Sequence, residues 1–253
     1  MKFGFKKVKK NDNCNYIELA YDLFSTLELG ERINPDNYET IRKIQNDCTE
    51  VGKDYPDREK ILLKVIELAS KQINSDSLFI IAKAYSWSKV KYNDYAIKYL
   101  NMYLESGISE YAVSRYIGIN NPESSRKYIH LSQIYNDLGE KYLINYDFQN
   151  AMKSFELMLE NDNLSRMPYG RQLPYLKIAD TYRRMNELDN AIRTLEEARY
   201  PDDVFTIGDD GFEYDIERHK KDFNEIINRY LEDYKEKRNK GYIYKPRKSK
   251  KEE

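Results

Sequence analysis

Few side chains in this sequence could carry bond-making chemistry, and their spacing argues against it. His130 and His219 are its two histidines, 89 residues apart, and Cys14 and Cys48 are its two cysteines. Helical zinc sites pair histidines about four residues apart, and other zinc sites use closely spaced cysteines. None of these four residues has such a neighbour, so each histidine is expected on a partly exposed helix face. The acidic stretch GDDGFEYD, 208–215, invites a calcium reading. Counted back from Glu213, however, Ile207 falls where an EF-hand loop needs glycine and Val204 where it needs a carboxylate. Acidic pairs such as Glu196–Glu197 and Asp209–Asp210 have no opposing carboxylate to complete an acid–base couple. No Gly-rich phosphate cradle occurs. The expectation is a chain with no catalytic residue, no metal and no cofactor, hence not an enzyme.

The elements that would position any site are helical. From Tyr38 the apolar residues Ile41, Ile44, Cys48 and Val51 step by three and four, and Ile61, Leu62, Val65, Ile66, Leu68 and Ala69 form a second stripe. Pro56 punctuates the gap between them. Sustained period-two alternation is absent, so the fold class expected is all-α. Charged residues make up 34% and hydrophobic residues 40%, a balance that suits an elongated helical array with much surface per residue. A net charge of −1 excludes a global field toward nucleic acid or anionic lipid. Two distant cysteines point to a reducing compartment, and no apolar run is long enough for a membrane span, so a cytoplasmic protein is expected.

A repeat emerges further along. Tyr175, Ile178, Ala179, Tyr182, Ala191, Leu195 and Ala198 are separated by 3, 1, 3, 9, 4 and 3 residues, and 40 residues earlier Tyr135, Leu138, Gly139, Tyr142, Ala151, Phe155 and Met158 show the same separations. The chemistry of that ladder is packing. Small residues let helix axes approach to about 8 Å, and the aromatics beside them bury large area. Single hairpins cannot hide such a face, whereas stacked ones can. A looser third copy comprises Leu78, Ile81, Ala82, Tyr85, Ala96, Leu100 and Tyr103.

This spacing resembles the tetratricopeptide repeat (TPR), whose first helix carries W-x2-L-G-x2-Y and whose second carries A-x3-F. The resemblance implies a right-handed superhelix of antiparallel helix hairpins with a C-terminal capping helix. The expected organisation is a basic N-terminal segment (1–12), degenerate helix hairpins (13–74), repeats over 75–106, 122–160 and 172–201, an acidic loop and capping helix (202–240), and a basic disordered tail (241–253). The segment ISEYAVSRYIGI should form a short extra helix, NLSRMPYGRQLP a loop, and roughly 214–237 the terminal helix.

In that family the first helix of each repeat lines a concave groove. Carried over, the resemblance implies a partner-binding groove made of Phe79, Lys83, Trp87, Asn136, Glu140, Leu176, Asp180, Arg183 and Arg184. This mixture suits an extended peptide or a partner helix. Some relatives hold a carboxylate there, but Glu140 and Asp180 would repel one, so that ligand is not expected. The function implied is a non-catalytic protein- or peptide-binding scaffold, and reversing the charge of Arg183 and Arg184 should weaken partner capture while leaving melting near wild type. The alternatives are a weak nucleic-acid contact through the basic tail, where nine of the residues from Lys235 to Lys251 are Lys or Arg, and a peptide-sensing regulator.

Overall fold

Polar side chains that accept hydrogen bonds from first-turn N–H groups mark where many of the helices begin. In the computed structural model, which describes residues 15–27, 34–50, 52–116, 121–209 and 211–246, Asn15 opens α1 (Tyr16–Ser25), Asp57 opens α3 (Arg58–Ala69) and Asn74 opens α4 (Ser75–Trp87) in this way. Asn74 and Ser77 bond reciprocally, forming a capping box. Between these helices lies α2 (Tyr38–Cys48), and α5 (Asn93–Ser106) follows α4. Among the described residues the fold is all-α, without strands beyond the isolated bridges Thr49–Pro56 and Ile207–Glu213. No helix among them is long and apolar enough to cross a membrane. The basic segment 1–12 and Cys14 lie outside the described residues, as do 247–253 of the tail.

The chain divides into two units, Met1–Ser106 and Gly107–Glu253. This boundary separates the loose copy, 75–106, from the two well-matched ones. In the first unit α4 packs with α1, α3 and α5. Its residues from Ser77 to Ala84 are all buried, so α4 is a core helix rather than the wall of an open groove. Only Ile41 and Cys48 of α2 are buried, and burial raises the pKa of the Cys48 thiol.

The second unit contains α6 (Glu110–Tyr116), α7 (Glu123–Ile144), α8 (Phe148–Ser165), α9 (Gln172–Arg184), α10 (Leu188–Glu197) and α11 (Ile216–Asn239). Here the ladder is realised as packing. Leu138, Ala151, Phe155, Met158, Ile178, Ala179, Ala191, Leu195 and Ala198 are all buried, while Tyr135, Tyr142, Tyr175 and Tyr182 pack at the margins of two apolar clusters. Tyr182 touches both clusters, joining one hairpin to the next. A methyl group added at Gly139 would lie 2.3 Å from Cε1 of Phe155, a separation no carbon pair adopts. Gly139 therefore permits the α7–α8 approach.

The two hairpins also turn alike. The amide of Asp147 donates to Tyr142 O and that of Tyr146 to Leu143 O; Glu187 donates to Tyr182 O and Asn186 to Arg183 O. Each is a Schellman turn, with Tyr146 (φ 59°) or Asn186 (φ 64°) in the left-handed position. The same bonds recur after α11, where Tyr242 donates to Lys237 O and Gly241 to Arg238 O, with Gly241 at φ 65°.

Several boundaries differ from expectation. α8 continues to Ser165 and α9 begins at Gln172, so the expected 163–174 loop contracts to 166–171 and Pro174 falls inside a first turn, where a missing N–H costs nothing. His130 is fully buried on α7 rather than partly exposed; His219 is partly exposed, its ring 6.2 Å from that of Tyr169. The acidic loop has a structural use. Pro122 precedes α7 and offers no capping side chain, and Asp209 Oδ2 accepts from the Glu123 amide instead, at 2.6 Å.

Candidate functional site

Helical spacing places Lys177, Asp180, Arg183 and Arg184 on successive turns of α9, and their side chains form a linked polar surface. Lys177 pairs with Glu140 of α7. Asp180 accepts from Arg183 Nε and Arg184 Nε, each at 2.8 Å. One carboxylate thus sits between two guanidiniums, leaving a local net charge of +1. Burial works to lower the pKa of Arg183, but the hydrogen bond and charge of Asp180 outweigh it and hold the group above its ordinary value.

The end of α9 is covered by the chain's own C-terminal segment. Tyr242 OH accepts from Arg183 Nη1 at 3.2 Å. The Tyr244 amide donates to Asn186 Oδ1 at 2.6 Å. The guanidinium carbons of Arg183 and Arg184 lie 5.3 and 6.0 Å from the centre of the Tyr244 ring, within cation–π range. Beneath them Tyr234 of α11 is buried, and its phenol pKa is raised by burial first and by the Asp180 carboxylate second, with Arg183 opposing.

The sequence-derived groove residues fall into two sets. Phe79, Lys83 and Trp87 belong to the first unit. Phe79 is fully buried, its ring 6.1 Å from Tyr21 and 5.3 Å from Tyr103, and Lys83 is 3% exposed; both are core positions, because α4 is covered by α1, α3 and α5. Trp87 is half-buried at the end of α4, against Phe24 at 4.8 Å and below the Arg58 guanidinium at 5.0 Å. In the second unit Leu176 packs into the apolar cluster shared by α9, α10 and α11. Asn136 is half-buried on α7, its Oδ1 without a hydrogen-bond partner. Glu140, Asp180, Arg183 and Arg184 remain on the polar face.

Two expectations change here. Glu140 and Asp180 are offset by Lys177 and the two arginines, so they present no uncompensated negative charge. Reversing Arg183 and Arg184 also removes their bonds to Asp180 and Tyr242, so a melting temperature lowered by a few degrees is expected rather than one near wild type. Sequence reasoning missed Lys177, Asn186, Tyr242 and Tyr244. An asparagine in a short interhelical turn and a Tyr-X-Tyr after a helix-ending glycine were the available signals, but nothing local links them across 58 residues.

A cleft of about 610 Å³ lies between α10, residues 198–202 and α11. Its rim mixes Glu196, Arg199, Asp202 and Lys220 over an apolar floor of Phe223 and Ile227. Among the described residues no group of three His, Cys, Asp or Glu side chains is placed to hold a metal ion. Near the start of α9, Arg171 is 2% exposed and pairs with Asp162 at 3.4 Å. Burial raises the Asp162 pKa against the pull of Arg171. That pair ties the end of α8 to the start of α9. No protein-family model matches this chain, and no curated protein or solved structure matches it either.

Proposed function

We propose that this chain is a non-catalytic, protein- or peptide-binding scaffold of TPR-like design, with the polar face of α7 and α9 in the second unit as its docking surface. The observation that carries the reading is the duplicated hairpin. The same small positions are buried in both copies, the same tyrosine positions pack half-buried beside them, and both copies close through the same hydrogen-bonded turn. A repeat whose ladder is occupied in stacking leaves the remaining face of its first helices for recognition. On that face Arg183 and Arg184 combine charge, planar donors and ring-stacking capacity, a combination frequent in binding hot spots.

The test is quantitative capture from the protein's own cells on immobilised full-length chain, wild type against Arg183→Glu/Arg184→Glu, read by mass spectrometry. A defined set of proteins depleted at least fivefold on the variant is the expected result, with helical circular dichroism retained and melting lowered by a few degrees. Identical capture by both forms refutes the assigned surface.

A further inference from the structure

The C-terminal segment shows what the end of α9 can hold. Gly241, in the left-handed position after α11, reverses the chain so that residues 242–244 run across the α9–α10 turn. Three kinds of contact fix them there: a phenol oxygen on Arg183, a backbone amide on Asn186, and a ring below two guanidiniums. Ile243, between the two tyrosines, is 64% exposed. The contacts come from alternate residues, as in an extended peptide whose neighbouring side chains point to opposite sides.

Asn186 is suited to this role. It occupies the left-handed position of its turn, which asparagine tolerates better than most residues, and its side-chain oxygen is directed at an incoming amide. The equivalent residue of the preceding hairpin is Tyr146, which cannot offer that acceptor.

We propose that Arg183, Arg184 and Asn186 form a docking site for an extended Tyr-X-Tyr segment of a partner protein, and that the chain's own residues 242–244 occupy it until such a partner displaces them. This rests on the scaffold reading above and names the partner's chemistry. Charge sets a further preference. Asp180, Arg183 and Arg184 sum to +1, and the chain's own segment continues into Lys245, Arg247 and Lys248. A partner segment with acidic residues after the second tyrosine is attracted where the tail is repelled. The tail compensates by tethering, which supplies an effective concentration on the order of millimolar. With an intrinsic dissociation constant of about 100 μM for the tail segment itself, that tether weakens the apparent binding of any trans peptide roughly tenfold.

Fluorescence anisotropy with labelled Tyr-Ile-Tyr-Glu-Pro-Glu tests this on full-length protein. Tyr242→Ala/Tyr244→Ala is expected to bind the peptide about tenfold more tightly than wild type does, and adding Asn186→Ala or Arg184→Ala should reverse the gain. Ala-Ile-Ala-Glu-Pro-Glu should not bind. Equal affinity in wild type and the double variant, or equal binding of the alanine peptide, overturns the proposal. If the peptide series fails while arginine-dependent capture persists, the tail inference falls and the scaffold reading stands. If peptide binding holds but capture does not depend on the arginines, the scaffold reading is the one that falls.

Discussion

Gly139→Ala tests the packing argument at its tightest point. The added carbon would sit 2.3, 2.6 and 2.7 Å from Cε1, Cζ and Cδ1 of Phe155, whereas carbon atoms rest at about 3.5–4.0 Å. The ring must therefore move by about 1 Å, and Phe155 is fully buried in a close-packed cluster with little room to give. Overpacking of this kind costs about 1–3 kcal/mol. The better helix propensity of alanine returns about 1 kcal/mol. The net expectation is a loss of about 0–2 kcal/mol, or up to about 8 °C in melting temperature for a unit of this size. The chain itself suggests the rescue, because the matching pair in the next hairpin is Ala179 with Leu195. Phe155→Leu alone should lose about 1–2 kcal/mol through the cavity it leaves. In that background Gly139→Ala should cost nothing, giving a coupling energy of about 1 kcal/mol or more. Urea denaturation of the four proteins, followed by far-ultraviolet circular dichroism, measures the cycle. An equal effect of Gly139→Ala in both backgrounds refutes the reasoning.

Two further outcomes follow from other parts of the second unit. Asp209→Ala removes the acceptor from the Glu123 amide, so melting should fall by about 2–4 °C, with faster amide hydrogen exchange confined to the first turn of α7; unchanged exchange there contradicts the capping role. At alkaline pH the buried Tyr234 keeps its proton when folded, while the unfolded chain releases one near the ordinary value of about 10. The folded state thus binds more protons above that pH, so stability falls as pH rises beyond about 10, by up to about 1.4 kcal/mol per pH unit for this group, and is unaffected below it. Tyr85, Tyr135, Tyr169 and Tyr200 are raised in the same direction, chiefly by burial. Tyr234→Phe should flatten the decline of the urea midpoint between about pH 8 and 11, and an unchanged slope would exclude Tyr234 as a contributor.

The ladder from Tyr135 to Ala198 was legible because its cause is local and periodic. A close helix crossing requires glycine or alanine at fixed steps, and the aromatic residues must flank them, so Gly139, Ala151, Ala179 and Ala191 marked the hairpins before any coordinates did. The helical character of the chain follows from the same periodicity, whereas Glu140, Asp180, Arg183 and Arg184 were named through the resemblance to the tetratricopeptide repeat. Burial of a whole helix is different. The resemblance to the tetratricopeptide repeat put Phe79 and Lys83 of α4 on an open groove, yet both are enclosed because α1, α3 and α5 pack around that helix, and such coverage depends on which elements meet in space. The engagement of Arg183 and Asn186 by Tyr242 and Tyr244 spans 59 and 58 residues, and no periodicity connects positions so far apart. The capping of α7 by Asp209 bridges 86 residues in the same way. Local steric rules are written along the chain, whereas tertiary structure alone decides which distant polar groups satisfy one another, because only folding brings them within hydrogen-bond reach.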